Sequence, residues 1–115
     1  DAVLCCGCGY GDELHLYHKE FTLRHITGID ANRDAAAQFS PVHNVRLLQM
    51  SYEGITSQFE PGFFNKIVFL DNIYHSTDKR SLLRDACALL PVGGKIGLTD
   101  IVLRDGAPSW VCLCL

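Results

Sequence analysis

Three glycines stand at alternate positions, Gly7, Gly9 and Gly11, in the stretch VLCCGCGYGD, directly after the apolar run 2–6. Glycine has no Cβ, so a backbone built from it can turn sharply and approach a ligand closely. A helix starting just beyond would aim its free N–H groups and the positive end of its dipole at whatever sits there. A carboxylate or phosphate suits that position. Asp30 lies 19 residues beyond Gly11 (30 − 11). An acid at that distance, at the tip of a second strand, can accept hydrogen bonds from both ribose hydroxyls. Together these features describe a site for an adenosine-containing cofactor. The competing reading is a tight turn and nothing more, with Asp30 capping the next helix.

The cysteines offer a different chemistry. Cys5, Cys6 and Cys8 thread through the glycines, and Cys112 and Cys114 lie near the other end. Zinc sites commonly space paired cysteines as C-x₂₋₄-C. Cys112 and Cys114 are too close for that, and although Cys5 and Cys8 have the spacing, Cys5 and Cys6 lie in an apolar, strand-like run that reads as buried. Cys5 and Cys6 are adjacent in a strand-like run, so their side chains point to opposite faces. The six cysteines therefore read as reduced core residues of an intracellular, cytoplasmic protein, with no metal site expected. His15 and His18 sit three apart on a helix-like stretch and read as a solvated pair. His75 is the candidate proton acceptor. Imidazole can take a proton from a hydroxyl or amine nucleophile, although packing against a ligand or capping the next helix would also account for it. Where a nucleophile is already neutral, positioning two reactants in line can supply most of the acceleration without strong acid–base help.

These residues must be held by a small but real core. The chain has 115 residues, 48% hydrophobic and 20% charged, in the range of a globular domain. Its 10 basic and 13 acidic residues give a net charge of −3, with no basic run to mark a nucleic-acid surface. The longest apolar runs, such as IVFL at 67–70, are too short to span a bilayer. Strand-like runs at 2–6, 25–30, 44–50, 66–71 and 95–103 alternate with helix-like segments at 12–22, 32–39 and 77–90. Thr77 is placed to cap the last helix, whose Leu82, Leu83, Ala86, Leu89 and Leu90 share a face. Such alternation predicts an α/β three-layer sandwich on a Rossmann-like parallel sheet, with strand order 3-2-1-4-5. The ligand then sits beyond the carboxyl ends of the strands, where Gly7, Asp30, Ser51 and Asp71 gather.

The glycine spacing separates two cofactors. A dinucleotide fingerprint needs G-x-G-x-x-G, whereas this chain reads G-C-G-Y-G and then Asp12. Val3-Leu4-Cys5-Cys6-Gly7-Cys8-Gly9-Tyr10-Gly11 instead resembles the first motif of the class I S-adenosylmethionine-dependent methyltransferases. The family's acid in that motif is Cys5 here. The resemblance continues in Ile26-Thr27-Gly28-Ile29-Asp30, in Phe64-Asn65-Lys66-Ile67-Val68 with Asn65 for an acid, and in Leu90-Pro91-Val92-Gly93-Gly94. It covers nearly the whole chain, as one domain over 1–115 that reads as incomplete at both ends. The stretches DNIYHS and LTDIVL are similar to the branch acting on small molecules.

The resemblance implies S-adenosyl-L-methionine as cofactor and a small-molecule methyl acceptor as partner. Its implied cofactor contacts come from Cys5, Gly7, Cys8, Gly9 and Gly11 in the first loop and from Asp30 and Ala31 after the second strand. Ser51 and Tyr52 follow from the third strand, and Leu70 and Asp71 from the fourth. Ser51 stands where many members carry an acid for the adenine amino group. Loss of the acid at Cys5 removes a charge-assisted hydrogen bond of about 1.5–3 kcal/mol. A second reading is therefore a degenerate, non-catalytic scaffold on the same fold, and a third is an NAD-dependent oxidoreductase. The apolar tail Trp110, Val111, Leu113 and Leu115 is expected to pack on a partner chain or on a further segment.

Overall fold

The computed structural model describes residues 1–100 of the chain. Five strands, β1 (Ala2–Cys6), β2 (His25–Asp30), β3 (Val45–Gln49), β4 (Lys66–Phe69) and β5 (Lys95–Leu98), form one sheet of order β3-β2-β1-β4-β5. Each neighbouring pair is parallel, with Cys5 opposite Gly28 on one side and Val68 on the other. The helices are α1 (Asp12–Glu20), α2 (Arg33–Gln38) and α3 (Lys79–Leu89). The predicted fold and strand order are those observed.

Central β1 is buried along its whole length, which accounts for its unbroken apolar sequence. Its side chains alternate between two cores. Ala2, Leu4 and Cys6 join Ile67, Phe69, Phe64 and the α3 residues Leu82, Ala86 and Leu89. Val3 and Cys5 join Leu14 of α1, Ile26, Val45 and Leu47, with Ala36 and Phe39 from the α2 region alongside. One layer of helix thus lies on each face. Gly28 lets α1 come close: a Cβ there would stand 2.5 Å from Leu14 Cδ1 and 2.6 Å from Cys8 Sγ.

Several boundaries fall inside those read from the sequence. β4 ends at Phe69 rather than 71, because Asp71 adopts a left-handed backbone with φ 51°. β5 ends at Leu98, and residues 101–103 of the predicted strand lie outside the described residues. The tail 110–115, expected to meet a partner, also lies outside them. Between β3 and β4 there is no α-helix, only a 3₁₀ turn at Ile55–Ser57 that buries Ile55 in the α3-side core. Among the described residues no helix is long and apolar enough to cross a membrane.

The cap of α3 is Asp78, not Thr77. Asp78 Oδ1 accepts from the Ser81 N–H at 3.0 Å, while the Asp78 N–H donates to Ser76 Oγ at 3.3 Å. A carboxylate beats a hydroxyl here by favouring the positive end of the helix dipole. The bond from Ser81 holds the Asp78 carboxyl below its ordinary 3.8. A carboxyl depressed in the fold stabilises it above the unfolded value and loses that effect as pH falls through the folded value. Asp78→Ala should therefore lower the melting temperature at neutral pH. The gap to the unchanged protein should stay constant down to about pH 4 and shrink below it; a gap that grows in acid would contradict the cap.

Candidate active site

The carboxyl ends of β1, β2 and β4 and the loop after β3 enclose a cavity of about 520 Å³. That size is in the range of cofactor sites. It opens between β1 and β4, where the chain switches from one side of the sheet to the other, which is where open parallel sheets bind ligands. Gly7 and Gly9 line it with Asp30 and Ala31, Ser51, Tyr52 and Glu53, Leu70, Asp71 and Asn72, and His75.

The glycine loop is pinned from beneath. The N–H groups of Gly7 and Cys8 donate to the Ile29 carbonyl at 2.8 and 3.2 Å. Gly7, Gly9 and Gly11 all have left-handed φ, of 67°, 54° and 86°, a region where only glycine is free of strain. Asp30 holds the rim: Oδ2 accepts from the Gly9 N–H at 2.7 Å and Oδ1 from the Asn32 N–H at 2.8 Å. Each carboxylate oxygen carries a second lone pair, so Asp30 stays able to accept from a ligand hydroxyl. It does not merely cap α2; that cap is Asn32, whose Oδ1 accepts from the Asp34 N–H.

On the far rim, Asp71 exchanges two bonds with Thr99. Its N–H donates to Thr99 Oγ1 at 2.8 Å, and Thr99 Oγ1 donates to Asp71 Oδ1 at 2.7 Å. Tyr52 Oη reaches across from the β3 loop to the Asn72 carbonyl at 3.0 Å. Burial raises the Tyr52 hydroxyl's pKa, with Glu53 adding to the effect, so Tyr52 is a donor, not a phenolate, near neutrality. His75 ends a 3₁₀ turn, Ile73–His75, with its ring against Tyr74. Asp30, Glu53 and Asp71 line the cavity, and among the described residues no lysine or arginine does. Such a lining favours a ligand with positive charge.

Three of the expected contacts lie elsewhere. Cys5 is fully buried in the α1-side core, because its position on β1 points it away from the cavity. Cys8 is also buried, against α1, and Gly11 is the N-cap of α1, packed under Phe39 and Leu47. Asn65, which stands for a family acid, sits at the opposite end of the sheet. There its Oδ1 accepts from the Ala2 N–H at 2.8 Å, and its carbonyl accepts from the Lys95 N–H at 3.0 Å. Its change from an acid therefore says nothing about the cavity. The sequence reading missed Glu53 and Asn72. Asn72 carried a signal, as a polar residue directly following the buried fourth strand.

All four described cysteines are free. Burial first, then the Glu13 carboxylate on the first turn of α1, raises the Cys5 thiol above its ordinary range. The same two causes push Cys8 from 9.0 up to about 12. A rise of that size cuts the thiolate population about a thousandfold. Among the described residues no group of three histidines, cysteines or acids is placed to hold a metal ion. A maleimide should label exposed Cys87 in the native protein and leave Cys5, Cys6 and Cys8 untouched until denaturant is added. Mass mapping of peptides reads each position, and native labelling of Cys5 would place it outside the core.

Residues 3–94 match the family described as Methyltransferase domain. A sarcosine/dimethylglycine N-methyltransferase from Halorhodospira halochloris is 25% identical over 115 residues, 95% of this chain and 40% of the relative. The chain thus spans about two fifths of that relative's length. The crystal structure of the [4+2]-cyclase SpnF superimposes with a TM-score of 0.82 at 19% identity, over 91% of this chain and 40% of the other. The plantazolicin methyltransferase BpumL, solved with a pentazolic desmethylPZN analogue and SAH, gives 0.74 at 19% identity, over 87% of this chain and 38% of the other. Likenesses at this identity concern the fold.

Proposed function

Because this chain belongs to the methyltransferase-domain family, we propose that it binds S-adenosyl-L-methionine in the cavity between β1 and β4. The protein then serves methyl transfer to a small-molecule acceptor. The observation that carries this reading is Asp30, fixed by the Gly9 N–H at the tip of β2 and lining the same cavity as the glycine loop. That is the placement a ribose requires.

The residues present fit the cofactor. Gly7 and Gly9 give it backbone without side chains, and Asp30 accepts from its ribose hydroxyls. Ala31 and Leu70 supply apolar contact. Ser51 is occupied in part by the Glu53 N–H, so Glu53, two residues on, is the carboxylate available to the adenine amino group. The acidic lining of Asp30, Glu53 and Asp71 suits a sulfonium. The cofactor, when bound, supplies an electrophilic methyl group on that sulfonium. His75 stands on the same rim and accepts the acceptor's proton where the nucleophile carries one; a neutral amine would need only alignment. The relatives named for sarcosine, dimethylglycine and plantazolicin support a small-molecule acceptor.

One observation favours a second reading, a cofactor-binding or scaffold module without catalysis. Cys5, where the family carries an acid, is a buried thiol, and a fold alone does not fix chemistry. Isothermal titration with S-adenosylhomocysteine (SAH) and with NAD separates the readings. Binding of SAH but not NAD is expected. Tighter NAD would favour hydride transfer. Silence from both at millimolar concentration, weaker than about 4 kcal/mol, would leave the scaffold.

A further inference from the structure

Asn72 lines the cavity between the ends of β1 and β4. It is 7% exposed. Its Nδ2 donates toward three backbone carbonyls at once: Cys6 at 2.7 Å, Leu70 at 2.8 Å and Gly7 at 3.2 Å. A carboxamide nitrogen has two hydrogens, one fewer than the carbonyls gathered around it. The other end of the amide fares worse. Asn72 Oδ1 is buried with no hydrogen-bond partner among the described residues, a rare condition for a buried polar atom. The amide is also wedged tightly, since a Cβ on Gly7 would stand 2.7 Å from Asn72 Cγ.

A donor that suits this pocket better is easily specified. Three converging carbonyls match the three hydrogens of an ammonium, which carries no acceptor to leave stranded. Charge-assisted bonds from an ammonium are also stronger than those from a neutral amide. The proposed cofactor carries such a group on its amino-acid end.

We propose that Asn72 is a stand-in ligand. Its amide fills the carbonyl pocket that takes the α-ammonium of S-adenosyl-L-methionine, and the ammonium must displace it to bind. This rests on the cofactor reading above and adds a built-in competitor to it. The competition acts only on ligands with the amino-acid end. Asn72 thereby weakens the cofactor and its product SAH while leaving the nucleoside part unaffected.

The test compares SAH with 5′-methylthioadenosine, which keeps the adenosine and thioether but lacks the amino acid. Titrations use the unchanged protein, Asn72→Ala and Asn72→Ser, with circular dichroism and a melting curve to show that each variant folds. Both variants should bind SAH about three- to tenfold more tightly, the worth of about one net hydrogen bond, and bind 5′-methylthioadenosine unchanged. A crystal structure with SAH should show Nδ2 withdrawn from the Leu70 and Gly7 carbonyls. Weaker SAH binding by the folded variants would overturn the proposal and make Asn72 a direct ligand. So would a complex in which Nδ2 keeps all three bonds. If the unchanged protein binds neither compound, the cofactor reading itself fails. If it binds both and the variants bind each as before, only the stand-in fails. Should both variants unfold, the crystal complex of the unchanged protein decides alone.

Discussion

Gly7→Ala should cost the fold about 2–5 kcal/mol, the sum of a backbone and an overpacking penalty, read as a drop in the urea midpoint with the slope unchanged. Two separate penalties add up to that figure. The backbone at Gly7 has φ 67°, which costs an L-residue about 1–2 kcal/mol. The new methyl would also stand 2.7 Å from Asn72 Cγ, and overpacking of this kind costs about 1–3 kcal/mol. Gly9 gives the control. Its φ is 54°, yet no atom of the described residues lies within 4 Å of a Cβ there, so Gly9→Ala should lose only the backbone part, about 1–2 kcal/mol. Residues in contact couple in a double-mutant cycle. Adding Asn72→Ser to Gly7→Ala should recover the overpacking part and leave the φ part. Strict additivity of the two changes would show that the methyl and the amide do not meet.

The architecture was legible because its signals are local. The run AVLCC has no polar position, since β1 is covered on both faces; a strand with one wet face would have alternated. Asp30 could be placed because a strand end and a glycine loop fix its position without knowledge of any side-chain contact. What the sequence hid is set by side-chain direction. Cys5 and Cys6 are neighbours in the chain, yet one faces α1 and the other α3. Motif matching alone assigns Cys5 to the cofactor; the pleat turns it into the core. Asn65 and Asn72 illustrate the same limit. Both are asparagines flanking β4, seven residues apart (72 − 65). One stitches the strand starts together, and the other plugs the cavity. The end of β4 was misplaced by two residues because the left-handed turn at Asp71 is stabilised by Thr99, 28 residues away. No local pattern encodes that partner.

Asp30→Ala should weaken SAH by about 1.5–3 kcal/mol, roughly 10- to 150-fold, if its carboxylate receives the ribose hydroxyls. The carboxylate has two duties, and the experiment must separate them. It already accepts from the Gly9 and Asn32 N–H groups, so removing it also loosens the glycine loop and the entry to α2. Loop loosening would weaken every ligand alike, whereas a lost ribose contact would not. Adenosine and 2′-deoxyadenosine differ by one hydroxyl and report the distinction. The unchanged protein should prefer adenosine, and Asp30→Ala should bind the two nucleosides equally. Asp30→Asn is the finer probe. Its side chain keeps one acceptor oxygen and the volume of the original, but loses the charge that makes these bonds strong. If that oxygen stays on Gly9, the loop holds, and the affinity for adenosine should fall between those of the unchanged protein and the alanine variant. A preference for adenosine that survives in Asp30→Ala would take Asp30 out of the ribose site and leave it only the loop. The glycines would then be held in a shape whose ligand is something other than a ribonucleoside.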